Sequence, residues 1–90
     1  MSTVINQRAA RIADQLVDLI NVSKLNPGDR LPPERQLSEL LEVSRPSLRE
    51  ALHILQAKGL VVIKHGQGTF VEEPLLLKNY VLQSFRESMI

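Results

Sequence analysis

Only three residues, Glu42-Val43-Ser44, separate the end of one helical apolar pattern from the start of the next. Too short for a strand or a long loop, this break is a turn that joins two helices. Ser44 is well placed to accept from the first amides of the second helix, and Pro46 is tolerated in a first turn, where its missing N–H has no partner to lose. The inward face of that helix is Leu48, Ala51, Leu52 and Leu55, and it runs to about Lys58. Gly59 then supplies the left-handed residue that ends many helices. The helix before the turn spans residues 34–41, starts behind Pro32-Pro33 and has Glu34 near its positive end. Its expected buried side is Leu37, Leu40 and Leu41.

Upstream, Ile5, Ala9, Ile12, Ala13, Leu16, Leu19 and Ile20 recur at threes and fours, which predicts a further helix over residues 5–20. Leu25-Asn26-Pro27-Gly28-Asp29 breaks it and opens a loop that ends near Leu31. Downstream, residues 60–64 and 69–71 are short β-branched runs joined by His65-Gly66-Gln67-Gly68, which predicts a two-stranded hairpin. The expected fold is therefore mainly α with a small β-hairpin, and the order of elements is that of a winged helix-turn-helix. Glu72-Glu73-Pro74 marks a boundary that separates a domain of residues 1–73 from residues 74–90. There Leu75, Leu76, Tyr80, Val81, Leu82, Phe85 and Met89 form a roughly helical apolar pattern that needs a partner, since a lone helix of that length is marginal in water.

Composition narrows the function. Ninety residues leave room for one core and no deep enclosed cleft. With no cysteine and two histidines, no thiol nucleophile or thiolate metal site exists, and no catalytic, metal or cofactor site assembles, so an enzyme is not expected. No stretch nears the ~20 apolar residues of a membrane span, so the cytoplasm is the default location. The net charge of +1 is uninformative, but between Ser44 and Gly68 the cations Arg45, Arg49, Lys58 and Lys64 face only Glu50, a surplus of three.

Arg45 and Arg49 lie four apart, at the amino-terminal end of the third helix and off its leucine face. In a winged helix that end reaches into the major groove, and the guanidinium fork matches the two acceptors of guanine. Ser44 and Ser47 at the helix start, and Arg35 at the start of the helix before it, suit phosphates, contacts that position without specifying. Lys64, His65 and Gly66, with Gln67 and Gly68, form a slim basic hairpin tip suited to the minor groove. His53 lies on the outer side of the third helix. The alternative is a winged helix used as a protein–protein interaction module, disfavoured because the third helix offers no exposed aromatic anchor. RNA is disfavoured too, because 3% aromatic content with Phe70 expected in the core leaves no stacking platform.

The run from Pro27 to Leu37, the run from Val43 to Leu52, then Lys58-Gly59-Leu60 and Gly66-Gln67-Gly68-Thr69-Phe70-Val71 resemble the amino-terminal domain of GntR-family bacterial transcription regulators, most closely the FadR-type branch. The resemblance covers about residues 8–72. It implies a homodimer on a short palindromic double-stranded DNA operator, with Arg35, Arg45 and Arg49 as helix contacts, His65 and Gly66 in the wing, and Ser44 and Ser47 in support. Pro46 stands where some relatives have a hydroxyl residue, so a hydrogen bond from that position is lost here. It further implies a carboxy-terminal helical domain that dimerises and binds a small carboxylate effector, with residues 74–90 as linker and first helix of that domain.

Overall fold

The computed structural model of the chain describes residues 7–72. Its elements are α1 (Gln7–Val22), α2 (Glu34–Leu41), α3 (Arg45–Ala57), β1 (Val61–Lys64) and β2 (Gly68–Val71). They form the expected winged helix-turn-helix, three helices and an antiparallel hairpin paired from Val61 with Val71 to Lys64 with Gly68. The apolar stripes read from the sequence meet in one core: Ile12, Leu16 and Ile20 of α1 pack with Leu37 of α2 and with Leu48, Leu52 and Leu55 of α3. Leu31, Leu60, Val61 and Val71 close it from the hairpin side.

All three helices end by one device, in which the chain turns left-handed and two amides fold back to the last carbonyls. After α1, Lys24 (φ 56°) donates to the Asn21 carbonyl and Leu25 to that of Ile20, both at 3.1 Å. After α2, Glu42 (φ 56°) donates to Glu39 at 3.3 Å and Val43 to Ser38 at 3.0 Å. After α3, Gly59 (φ 79°) donates to Gln56 and Leu60 to Leu55, each at 2.9 Å. The residue that follows each left-handed position, Leu25, Val43 or Leu60, packs on the core. The turn in the helix-turn-helix is thus the terminator of α2 run directly into the cap of α3.

Several expectations need correction. The first helix continues to Val22, because the stop lies at Lys24 and not in the Pro-Gly turn beyond it. Leu40 is 58% exposed. The buried face of α2 is Leu37 and Ser38, with Leu41 half-buried. At about 100° per residue Leu40 falls roughly a quarter-turn off the middle of that face. Ser38 is tolerated inside because its hydroxyl donates to the Arg35 carbonyl at 2.8 Å. Leu60 terminates α3 and is not in β1, and β2 starts one residue early, at Gly68. The loop before α2 is partly sheet-like: Leu31 donates to Thr69, Val71 to Asp29 and Gly28 to Val71, all at 2.8 Å, beside a bridge between Arg30 and Phe70. Phe70 is half-buried, with the Lys64 ammonium 5.1 Å from its ring centroid. The boundary at residue 73 and the apolar pattern of residues 74–90 lie outside the described residues.

Candidate nucleic-acid interface

The start of α3 is fixed from within. Ser44 has extended backbone, and its hydroxyl oxygen accepts from the Ser47 amide at 3.2 Å while its O–H donates to the Ser47 hydroxyl at 2.9 Å. Both serines are thereby occupied with the cap, although Ser44 stays exposed and Ser47 half-exposed. Pro46 sits in the first turn and costs no hydrogen bond.

With that end fixed, Arg45 and Arg49 emerge on one exposed face, 53% and 58% accessible. Neither side chain is loose. Arg45 donates through Nε to Glu34 Oε1 at 3.0 Å, and Arg49 donates through Nε to Oε2 at 2.7 Å and through Nη2 to Oε1 at 3.1 Å. One carboxylate at the first residue of α2 therefore binds two guanidiniums of α3. The Arg49 hydrogen bond, with that of Arg45 and the charge of both, holds the Glu34 carboxyl below its ordinary value of 4.5 against a smaller opposing effect of burial. The same pairing raises Arg49.

Facing Arg49 is the wing, and between the two lies a cleft of about 400 Å³. Its floor is apolar, with Leu37, Leu52 and Ile63, and its walls carry Arg30, Arg49, His53, Lys64 and His65. Gln56 ties the walls together by accepting from the Ile63 amide at 2.7 Å. His65, Gly66 and Gln67 form the exposed wing tip, closed by the Gln67 amide donating to the Lys64 carbonyl at 2.9 Å, with Gly66 at φ 76°. Gly68 (φ 127°) has a backbone that side-chain-bearing residues rarely adopt, and a Cβ there would sit 2.7 Å from Arg30 Nε, so that the Arg30 side chain would have to move aside. Arg30 is thus laid across the base of the wing.

The candidate residues fall into three places. Arg45, Arg49, Ser44, Pro46 and Ser47 share the amino-terminal end of α3, Lys64, His65, Gly66 and Gln67 share the wing, and Arg35 is exposed on the first turn of α2. Sequence reasoning missed three residues. The sequence offers Glu34 only as a favourable charge at a helix start, places Arg30 in a loop, and does not single out Gln56. Each acts across 7 residues or more of chain, as with Gln56 on Ile63 and Glu34 on Arg45 and Arg49, 11 and 15 residues away. No local pattern carries that signal. Among the described residues no group of three or more His, Cys, Asp or Glu could hold a metal ion, and no helix is long and apolar enough to cross a membrane.

Residues 8–71 match the family described as bacterial regulatory proteins, gntR family. The Uxu operon transcriptional regulator of Escherichia coli K12 is 52% identical over 54 residues, which cover 60% of this chain and 21% of that protein. A possible transcriptional regulator, YydK, from Bacillus subtilis superposes with a TM-score of 0.70 at 30% identity, over 73% of this chain and 29% of that one. AraR(DBD) in complex with operator ORR3 superposes with a TM-score of 0.66 at 31% identity, over 79% of this chain and 86% of that one. The match thus spans about a fifth of the length of the first relative.

Proposed function

The chain belongs to the gntR family of bacterial regulatory proteins, and from that premise we propose that it binds double-stranded DNA sequence-specifically as the DNA-binding part of a transcription regulator. The end of α3 enters the major groove, where Arg45 and Arg49 read guanines. The wing tip, His65, Gly66 and Gln67, lies in the minor groove. The Ser47 hydroxyl, with Arg35 and Lys64, holds phosphates on either side, Ser44 supports that contact through the cap it makes with Ser47, and Pro46 contributes only van der Waals contact.

The observation that carries this reading is the pair of arginines presented side by side on an exposed helix end, with Arg49 across a cleft from a narrow glycine-containing tip. The likeness to a domain bound to its operator supports it. In the complete regulator the proposal extends to a cytoplasmic homodimeric repressor on a palindromic operator. Residues 74–90 lead into a carboxy-terminal domain that takes a small carboxylate effector.

Selection of duplexes from a randomised pool by the wild-type chain tests the reading. It predicts a selected half-site containing guanines, bound with an affinity that falls steeply with salt. Arg45→Ala and Arg49→Ala each lower the preference for that site over a scrambled duplex by about 5- to 150-fold, the range for one lost bidentate guanine pair. No enrichment, or enrichment that both variants retain, overturns base reading by α3. A flat salt dependence points to the protein–protein alternative.

A further inference from the structure

We infer that Glu34 is a positioning residue for base reading: its carboxylate grips the side edges of both recognition arginines, so that the two guanidinium forks meet the duplex as one preset unit. This rests on the reading of Arg45 and Arg49 proposed above.

The geometry of the bonds carries it. A guanidinium has a side edge, made by Nε and one Nη, and an end edge, made by its two Nη groups. Arg49 gives Glu34 its side edge, through Nε and Nη2, and Arg45 gives only Nε. Among the described residues nothing bonds to the end edge of either arginine, Nη1 with the outer hydrogen of Nη2. That edge suffices for the N7 and O6 acceptors of one guanine. Carboxylate and base therefore use different edges of the same groups and do not compete.

Burial points the same way, since the Glu34 side chain is 27% accessible and stands behind arginines that are 53% and 58% accessible. A long exposed arginine loses rotamer freedom when it engages a base. Here part of that freedom is already lost in the folded chain, so a matching duplex meets forks that are in place. Because both forks hang from one carboxylate, the spacing of the two bases they read is fixed by Glu34 as well as by the helix.

Glu34 is also an anion facing a polyanion. Its removal therefore has opposite effects on general and on selective binding, which a merely structural role would not produce. The test uses the full chain, fluorescence anisotropy, the duplex selected by the wild-type chain and a scrambled duplex of the same composition. Glu34→Gln keeps the shape and removes the charge. Its binding to the scrambled duplex is expected to stay equal or tighten a few-fold, which also reports that the fold persists. Its preference for the selected duplex is expected to fall about tenfold. In ¹⁵N spectra of the free chain the Nε–H signals of Arg45 and Arg49 shift and lose their protection from exchange in the same variant.

An unchanged preference, a preference that rises, or unmoved Nε–H signals would overturn the inference. Arg45→Ala and Arg49→Ala, run alongside, separate the two levels. If they lower the preference while Glu34→Gln does not, only the role of Glu34 falls. If they leave it unchanged, base reading by α3 fails and the positioning role goes with it.

Discussion

A carboxylate that accepts from two guanidiniums favours its charged form, and this gives Glu34 a pH signature. Its folded pKa lies below 4.5, so its contribution to stability is fully present above the unfolded value. It fades as pH falls through the lowered folded value. The difference in unfolding free energy between the wild type and Glu34→Gln is expected to be constant near neutrality and to shrink as the solution is acidified below about pH 4.5. Urea unfolding at a series of pH values measures it, and a difference that grows on acidification contradicts the pairing. Arg49, whose pKa is raised, stays charged throughout and adds no pH dependence of its own. Partly exposed ion pairs are worth about 0–1 kcal/mol, so stability is a weak reason for this arrangement and geometry a better one. At the wing, Gly68→Ala is expected to cost more than Gly66→Ala. Gly66 at φ 76° lies near the left-handed helical region and has nothing within 4 Å of an added Cβ, whereas Gly68 at φ 127° lies far outside that region and its Cβ would also displace the Arg30 side chain. Chemical denaturation of the two variants checks the order.

At the scale of elements, the three helix ends explain what was legible in the sequence and what was not. Gly59 announced the end of α3 because a glycine suits a left-handed position, and Ser44 with Pro46 announced its start. Lys24 and Glu42 do the work of Gly59 without its signature, so α1 runs on to Val22, past the last residue of its apolar pattern, Ile20. The end of α2 was placed only by the break that follows it. Glu42→Gly is expected to stabilise the chain by about 0.5–1 kcal/mol, the relief of left-handed strain less the entropy a glycine adds to the unfolded chain. Ser44→Ala is expected to destabilise it by about 1 kcal/mol through the lost cap. Shifts of the urea midpoint with unchanged slope report both, and a destabilised Glu42→Gly contradicts the account of the turn. Leu40 shows the limit of apolar pattern on a short helix, since eight residues leave the direction of the core ambiguous to within a quarter-turn. The strand-like segment at Arg30 was hidden for a different reason: its partners, Thr69 to Val71, lie about forty residues away.

For the molecule as a whole, packing and site are one construction. Leu16 and Leu48 are fully buried in the core that α1 and α3 share, and the arginines leave α3 about a quarter-turn from its buried face, on the side that meets Glu34 of α2. The core was readable because helical periodicity is local. The joint presentation of Arg45, Arg49 and the wing was readable only as residue types in order, because Glu34, Gln56 and Arg30 connect them through tertiary contacts. Leu16→Ala is expected to cost about 2–5 kcal/mol, a large share of what a domain of this size possesses. Thermal unfolding and loss of DNA binding are expected to coincide in that variant.

The most direct measurement replaces guanine by 7-deazaguanine in the selected half-site, which removes the N7 acceptor and little else. The wild-type chain is expected to lose about tenfold in affinity at each guanine that α3 reads. The double variant Arg45→Ala/Arg49→Ala, already without its forks, is expected to lose nothing further. Equal losses in the two proteins, or no loss in the wild type, would contradict reading of guanine by these arginines.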